Sequence, residues 1–294
     1  MRYENGLISL SNNPKQNILE YDNGFYQIDR LNVKYARSKG GNSCVFKLLD
    51  PDGVTPYAIK FSKFPRTSDN IKSNTRFQNE IDALRMAQNR DFENVIKIIF
   101  DDIYSIGTDQ FMYYVMEKGE CDLTSFLTQS KLATNQKILL CYDIIKGINQ
   151  LHSMDIYHRD IKPDNIFFID GVWKVGDLGL STYWKQNPMV DDKNEKIGPY
   201  GWLSPEVMNK VLCERTPFDK VHDCVIDKLS DVFQLGKLIW FVFNGNVPIG
   251  QLLPSDFILN RRDLFDLIFK MLQYKKNRRE NLDYFEEKFE LLAG

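Results

Sequence analysis

The sequence predicts an α+β chain in two lobes, a smaller, mostly antiparallel β lobe with one main helix followed by a larger, mostly helical one. Three observations carry this reading. The 294 residues exceed the usual size of one domain. Short strand-like runs fill the stretch from Leu31 to Met116, and from Glu117 onward apolar residues recur at helical spacing. A composition of 43% hydrophobic, 27% charged and 13% aromatic residues supplies a large core and argues against disorder.

The elements follow in order. Residues 1–30 are polar and Asn-rich, and are expected as an extension packed on the first lobe, which itself covers residues 31–118. Leu31, Val33 and Tyr35 alternate with polar residues. Cys44 to Leu49 and Tyr57 to Phe61 form two more apolar runs, joined through Asp50-Pro51-Asp52-Gly53, a turn between antiparallel strands. Phe77, Ile81, Leu84 and Gln88 stand at helical spacing, and Val95 to Ile103 and Gln110 to Met116 complete the first lobe. The second lobe covers residues 119–294. Ile138, Cys141, Ile145 and Ile148 mark one face of a helix ending near His152. Residues 230–243 are apolar nearly all round, as in a buried helix, and two more helices are expected over Arg262 to Gln273 and Arg278 to Leu292.

Several function classes lose support at this point. The net charge of −2 gives no electrostatic reason to bind nucleic acid or an anionic membrane. The most apolar stretch, Leu238 to Phe243, is far shorter than the ~20 residues of a membrane helix. Five cysteines without C-x-x-C spacing read as free thiols in a reducing, cytoplasmic setting.

The most informative stretch is His158-Arg159-Asp160-Ile161-Lys162-Pro163-Asp164-Asn165. It gathers a carboxylate that can accept the proton of an attacking hydroxyl (Asp160), an ammonium that can neutralise a transferred phosphate (Lys162) and a carboxamide that can hold a divalent metal (Asn165). Asp177-Leu178-Gly179 follows, with a second carboxylate for metal. An H-R-D-x-K-x-x-N run followed by D-x-G resembles the signature of eukaryotic-type Ser/Thr protein kinases, over roughly Leu31 to Leu291.

The resemblance implies a bilobal protein-kinase-like fold, ATP as phosphate donor, two Mg²⁺ ions (Mn²⁺ as an alternative) and a protein substrate, with autophosphorylation included. Ser38-Lys39-Gly40-Gly41-Asn42-Ser43-Cys44-Val45 aligns with the glycine-rich phosphate loop, but Ser38 and Ser43 occupy the outer glycine positions around Gly40. Tyr57-Ala58-Ile59-Lys60 matches V-A-I-K, so Lys60 is expected on the α- and β-phosphates and paired with Glu80. Val45, Ala58 and Phe167 would enclose the adenine, Met116 would guard the rear of its pocket, the Glu117–Gly119 backbone would bond its edge, and Asp122 would reach the ribose. Lys60, Asp160, Asn165 and Asp177 are expected around one triphosphate.

Scaffold residues follow the same pattern. Ser204-Pro205-Glu206 resembles A-P-E, with Arg278 as the expected partner of Glu206. Asp231 in Ser230-Asp231-Val232 would brace the catalytic-loop backbone, and His158 would pack beneath the metal-binding loop. Residues 207–229 are longer than the family needs and read as an insertion. Leu178 replaces the usual Phe of D-F-G, one apolar plug for another.

Two departures stand out. No Ser or Thr lies between Trp184 and Leu203, so Asp191, Asp192 or Glu195 is expected to supply the anion that Arg159 would otherwise receive from a phosphorylated residue. Pro199 stands where Ser/Thr kinases carry threonine and looks more like a tyrosine-kinase substrate platform, whereas Lys162 is the Ser/Thr mark. The acceptor preference is therefore Ser/Thr first, with dual specificity open. A pseudokinase that binds nucleotide without catalysis is the alternative, on the strength of the eroded glycine loop. A small-molecule kinase ranks last, because such enzymes lack the A-P-E-like and H-R-D-x-K patterns.

Overall fold

A computed structural model describes residues 1–31, 43–53, 56–183, 191–192 and 195–294. The fold is α+β. Two compact units are present, residues 1–91 with 96–119, and residues 92–95 with 120–294. The strand expected around Val33 and Tyr35, and the loop positions Ser38, Gly40 and Gly41, lie outside the described residues.

The first unit is built on a six-stranded antiparallel sheet in the order β3-β4-β5-β6-β8-β7. The strands are β3 (Ile18–Tyr21), β4 (Gly24–Asp29), β5 (Ser43–Leu49), β6 (Pro56–Ser62), β7 (Ile98–Ile106) and β8 (Asp109–Glu117). A separate hairpin pairs β1 (Arg2–Glu4) with β2 (Leu7–Ser9). Tight turns set these registers. Asn5-Gly6 and Asp22-Asn23 each place two consecutive residues at positive φ, the geometry of two-residue hairpins and one that Asn, Asp and Gly tolerate best. The turn expected after Leu49 is present, with the Gly53 N–H on the Asp50 carbonyl at 2.9 Å.

Residues 1–30, expected as a packed extension, thus supply two strands of the sheet and a hairpin over its core. Alternation on β5, β6 and β8 sends Cys44, Phe46, Leu48, Ile59, Phe61, Phe111, Tyr113 and Val115 to one face, where Ile8, Leu19 and Ile28 join them. The sheet coils until its two edges meet. Tyr21 of β3 stacks on Phe100 of β7 with ring centroids 3.7 Å apart, and the Tyr104 hydroxyl donates to the Ile18 carbonyl.

Against the opposite face lies α1 (Ile71–Asn89), which buries Phe77, Glu80, Ile81, Ala83, Leu84 and Ala87. Gln88, expected on that face, is exposed, and Ala87 takes the inward position. The strand expected from Val95 starts instead at Ile98, because Val95 belongs to the second unit, where it bridges to Val175.

The second unit contains α2 (Leu123–Gln129), α3 (Thr134–His152), α4 (Pro205–Cys213), α5 (Lys228–Asn244), α6 (Arg262–Met271) and α7 (Leu282–Ala293). A small sheet joins β9 (Cys121–Asp122), β11 (Ile166–Ile169) and β12 (Val172–Val175), and β10 (Ile156–Tyr157) pairs with β13 (Thr182–Tyr183). Close approach explains Gly147 on α3, since a Cβ there would sit 2.5 Å from the Asn94 carbonyl oxygen and 2.8 Å from Val175 Cγ2. α5 is buried along most of its length. It starts at a capping box on Asp227 and ends at Gly245 in the left-handed conformation.

The last helix begins at Leu282, not Arg278, because Asn281 caps the Tyr284 N–H and Arg279 is drawn into an ion pair. The suspected insertion, 207–229, holds most of α4, a 3₁₀ turn over Pro217–Lys220 and the stretch through the Asp227 cap into the start of α5.

Candidate active site

In the first unit, the sheet register aligns the side chains around Lys60. Val45 and Tyr114 flank it as direct cross-strand partners, and Ala58 lies opposite Met116. Lys60 Nζ donates to Glu80 Oε1 at 2.6 Å, and both side chains are buried. The helical register around Phe77, Glu80 and Ile81 turns the carboxylate inward, so the charged pair is enclosed. Ser43 opens β5 opposite Ser62. Glu117 closes β8 with its N–H on the Lys97 carbonyl, and Gly119 is the last residue of the unit.

In the second unit, Asp122 and Phe167 are direct partners across β9 and β11. Asp122 Oδ1 also accepts the Ser125 N–H as the cap of α2. The octet follows β10 and is held from below by α5. Asp231 accepts the His158 N–H on one oxygen at 2.7 Å and the Arg159 N–H on the other at 2.8 Å. Gln234 accepts the Ile161 N–H and donates to the Arg159 carbonyl. These bonds hold Arg159 at φ 64°, in the left-handed region that costs a non-glycine residue ~1–2 kcal/mol.

His158 is fully buried. Its Nδ1 accepts the Asp160 N–H, so Nε2 carries the proton and donates to the Gly176 carbonyl at 3.1 Å. It therefore ties the octet to the strand end that precedes Asp177. Asp177 also sits at positive φ, 57°, and Leu178 behind it is fully buried.

The polar centre is compact. Asp160 Oδ2 accepts from Lys162 Nζ at 2.8 Å and from Asn165 Nδ2 at 2.9 Å. No donor among the described residues reaches Oδ1. Burial pushes the Asp160 carboxyl above the ordinary aspartate range and the Asp177 charge adds to this, while Lys162 works in the opposite direction. Asn165 Nδ2 also donates to the Asp160 carbonyl at 2.8 Å. Both amide hydrogens are thereby committed, which orients the carboxamide and leaves Oδ1 as the oxygen it offers.

Asn165 Oδ1 and the Asp177 carboxylate are hard oxygen donors, as Mg²⁺ prefers, and a site completed by phosphates needs only one or two protein ligands. The residues fit such an ion. Among the described residues no group of three or more His, Cys, Asp or Glu forms a ready-made metal cage.

Of the three acids expected to answer Arg159, Asp191 does so, pairing with Nη1 and Nη2 while Nε donates to the Leu180 carbonyl at 2.6 Å. Glu195 instead caps the Asp192 N–H. The partner of Glu206 is corrected from Arg278 to Arg279, whose Nη2 lies 2.8 Å from Glu206 Oε1 with both side chains buried. Arg278 is exposed. The 3₁₀ turn Lys276–Arg278, capped by Arg279, directs the second of the two adjacent arginines inward.

A family model described as "Protein kinase domain" matches residues 38–293. The chain belongs to the protein kinase family. Members of the family use ATP and a divalent metal. The chain is 27% identical over 216 residues to the dual specificity protein kinase TTK of Mus musculus, covering 73% of this chain and 24% of that protein. It is 25% identical over 218 residues to the serine/threonine-protein kinase mph1 of Schizosaccharomyces pombe, covering 73% and 31%. With a Wee1-like protein kinase of Oryza sativa it shares 28% over 226 residues, 76% and 37%. The chain thus spans from about a quarter to little over a third of the length of these kinases. No helix among its described residues is long and apolar enough to cross a membrane.

Two residues of this kinase domain escaped sequence reasoning. Gln234 appears in the sequence only as a polar interruption of an apolar helix, yet it holds both a donor and an acceptor of the catalytic loop. Tyr114 donates its hydroxyl to Glu80 Oε1 at 2.9 Å. Its signal was position, two residues before Met116 on the same strand and so on the same face of the sheet.

Proposed function

We propose that the chain transfers the γ-phosphate of ATP to Ser or Thr hydroxyls of proteins, its own included, with tyrosine as a further acceptor left open by Pro199. The observation that carries this reading is the Asp160 carboxylate. One oxygen is pinned by Lys162 and Asn165, and the other has no donor among the described residues. That oxygen is suited to receive the hydrogen of an acceptor hydroxyl. The raised pKa makes Asp160 a better base than an exposed aspartate.

As the hydroxyl oxygen forms its bond to the γ-phosphorus, the bond from phosphorus to the β–γ bridging oxygen breaks, ADP leaves and the hydroxyl proton passes to Asp160. Lys162 neutralises charge on the transferred group, and Lys60, braced by Glu80, holds the α- and β-phosphates. A bound Mg²⁺ or Mn²⁺, held by Asn165 and Asp177, supplies further neutralisation of the phosphate oxygens. Val45, Ala58, Met116, Glu117 and Gly119 from the first unit, and Asp122 and Phe167 from the second, are the proposed nucleoside contacts.

The Arg159–Asp191 pair supports activity without prior phosphorylation, because the guanidinium that would clamp a phosphate already holds a carboxylate. The free cysteines support a cytoplasmic setting.

Transfer of radiolabelled γ-phosphate from ATP to a generic protein substrate tests the activity, with phosphoamino-acid analysis reporting the acceptor. Incorporation by the wild type that is lost in Asp160→Ala supports the reading. Nucleotide-dependent thermal stabilisation with no incorporation would instead favour the pseudokinase. Phosphatase-treated enzyme should keep its rate, and inactivation by that treatment would refute autonomy.

A further inference from the structure

On adjacent antiparallel strands, residues directly opposite project from the same face. Lys60 of β6 and Tyr114 of β8 are such a pair, and the face they share is the one covered by α1. The Tyr114 ring packs against Phe77 of α1 with centroids 5.5 Å apart. Phe77 lies one helical turn before Glu80. The Tyr114 hydroxyl donates to Glu80 Oε1 at 2.9 Å, the same oxygen that receives Lys60 Nζ at 2.6 Å. The ammonium also stands 5.8 Å from the Tyr114 ring centroid. A single side chain therefore touches the helix, the carboxylate and the lysine.

All three groups are buried. An ion pair removed from water needs further hydrogen bonds on its lone pairs to hold one geometry. A lone lysine, with four rotatable bonds, fixes a glutamate poorly, whereas a phenol carried rigidly on a strand presents its donor at a set place. From these contacts we propose that Tyr114 is a positioning residue for nucleotide binding. It fixes Glu80, and through Glu80 holds Lys60 in the arrangement that meets the phosphates. This rests on the reading of Lys60 as a phosphate ligand.

The test compares ATP with adenosine, which lacks phosphates, in wild type, Tyr114→Phe, Lys60→Met and Glu80→Gln. Tyr114→Phe keeps the ring and its contact with Phe77 and removes only the hydroxyl. It should weaken ATP binding about tenfold, leave adenosine binding unchanged, and raise KM for ATP more than it lowers kcat. Added to Glu80→Gln, it should cost little further, since its effect runs through that carboxylate. Equal weakening of ATP and adenosine would mark a general packing defect and overturn the proposal. So would unchanged ATP binding in Tyr114→Phe while Lys60→Met loses it, or an undiminished loss in the Glu80→Gln background. Should Lys60→Met bind ATP normally, the reading of Lys60 fails and the role of Tyr114 falls with it.

Discussion

The charged cluster of the first unit and the catalytic loop of the second solve one problem, holding polar groups in place, by opposite means. Lys60, Glu80 and Tyr114 sit on two strands and a helix, and regular geometry presents them to one another. Lys60 and Tyr114 both donate to one oxygen of Glu80, and none of the three residues sits at positive φ. Asp160, Lys162 and Asn165 lie on irregular chain, with Arg159 at positive φ just before them. That backbone is held from α5, more than 65 positions further on, by Asp231 and Gln234. Hydrogen bonds to a charged group contribute ~1.5–3 kcal/mol each, enough for the two Asp231 contacts to offset the strain at Arg159. The first arrangement fails by losing a charge. The second fails by losing a support that never touches substrate.

Breaking the chemistry itself should give the largest effect. Asp160→Asn should lower kcat by roughly 10²–10⁴-fold without lowering Tm, because it removes a carboxylate whose ionised form is disfavoured by burial. A large fall in Tm would mean that Asp160 serves the fold. Removing the support comes next. Asp231→Ala leaves two buried loop N–H groups without acceptors and should cost ~3–5 kcal/mol of unfolding free energy, measured by urea denaturation, together with most of the activity. If activity survives intact, the loop does not depend on α5.

Asp191→Asn keeps the shape and removes the charge, so Arg159 loses its counter-ion. A fall in kcat of about tenfold is expected, in the range of ordinary coupling energies, with ATP affinity unchanged. The smallest effect is on pH. Since burial raises the Asp160 pKa, the proposed base is protonated earlier as pH falls than an ordinary aspartate would be, and kcat should drop through that raised value. Lys162→Met removes the cation that lowers it, so the acid limb of the kcat profile should move further up. A limb that stays put would exclude coupling of the two groups.

The sequence made the catalytic loop plain because its chemistry is contiguous. The roles proposed for His158 to Asn165 and Asp177 to Gly179 follow from their order in the chain. Asp231 was legible for the same reason, through its Ser and Val neighbours. Contacts that depend on three-dimensional register were not. Tyr114 matters only because strand pairing sets it opposite Lys60, and α5 presents Gln234 to a loop remote in sequence. Lys276-Asn277-Arg278-Arg279 offers two adjacent arginines, and only the 3₁₀ turn that ends at Arg278 decides which reaches Glu206. In residues 1–30 the high polar content concealed both the hairpins at Asn5-Gly6 and Asp22-Asn23 and the core residues Ile8, Leu19 and Ile28. The glycine-loop positions 38–41 fall outside the described residues.

The family match begins at residue 38, and that boundary is a poor place to cut. Trimming the gene there would strip Ile8, Leu19 and Ile28 from Phe46, Phe61 and Tyr113, and remove the stacking partner of Phe100. The naked aromatic surface would invite aggregation. Recombinant work on the catalytic domain therefore gains from starting at Met1, whatever the homology suggests.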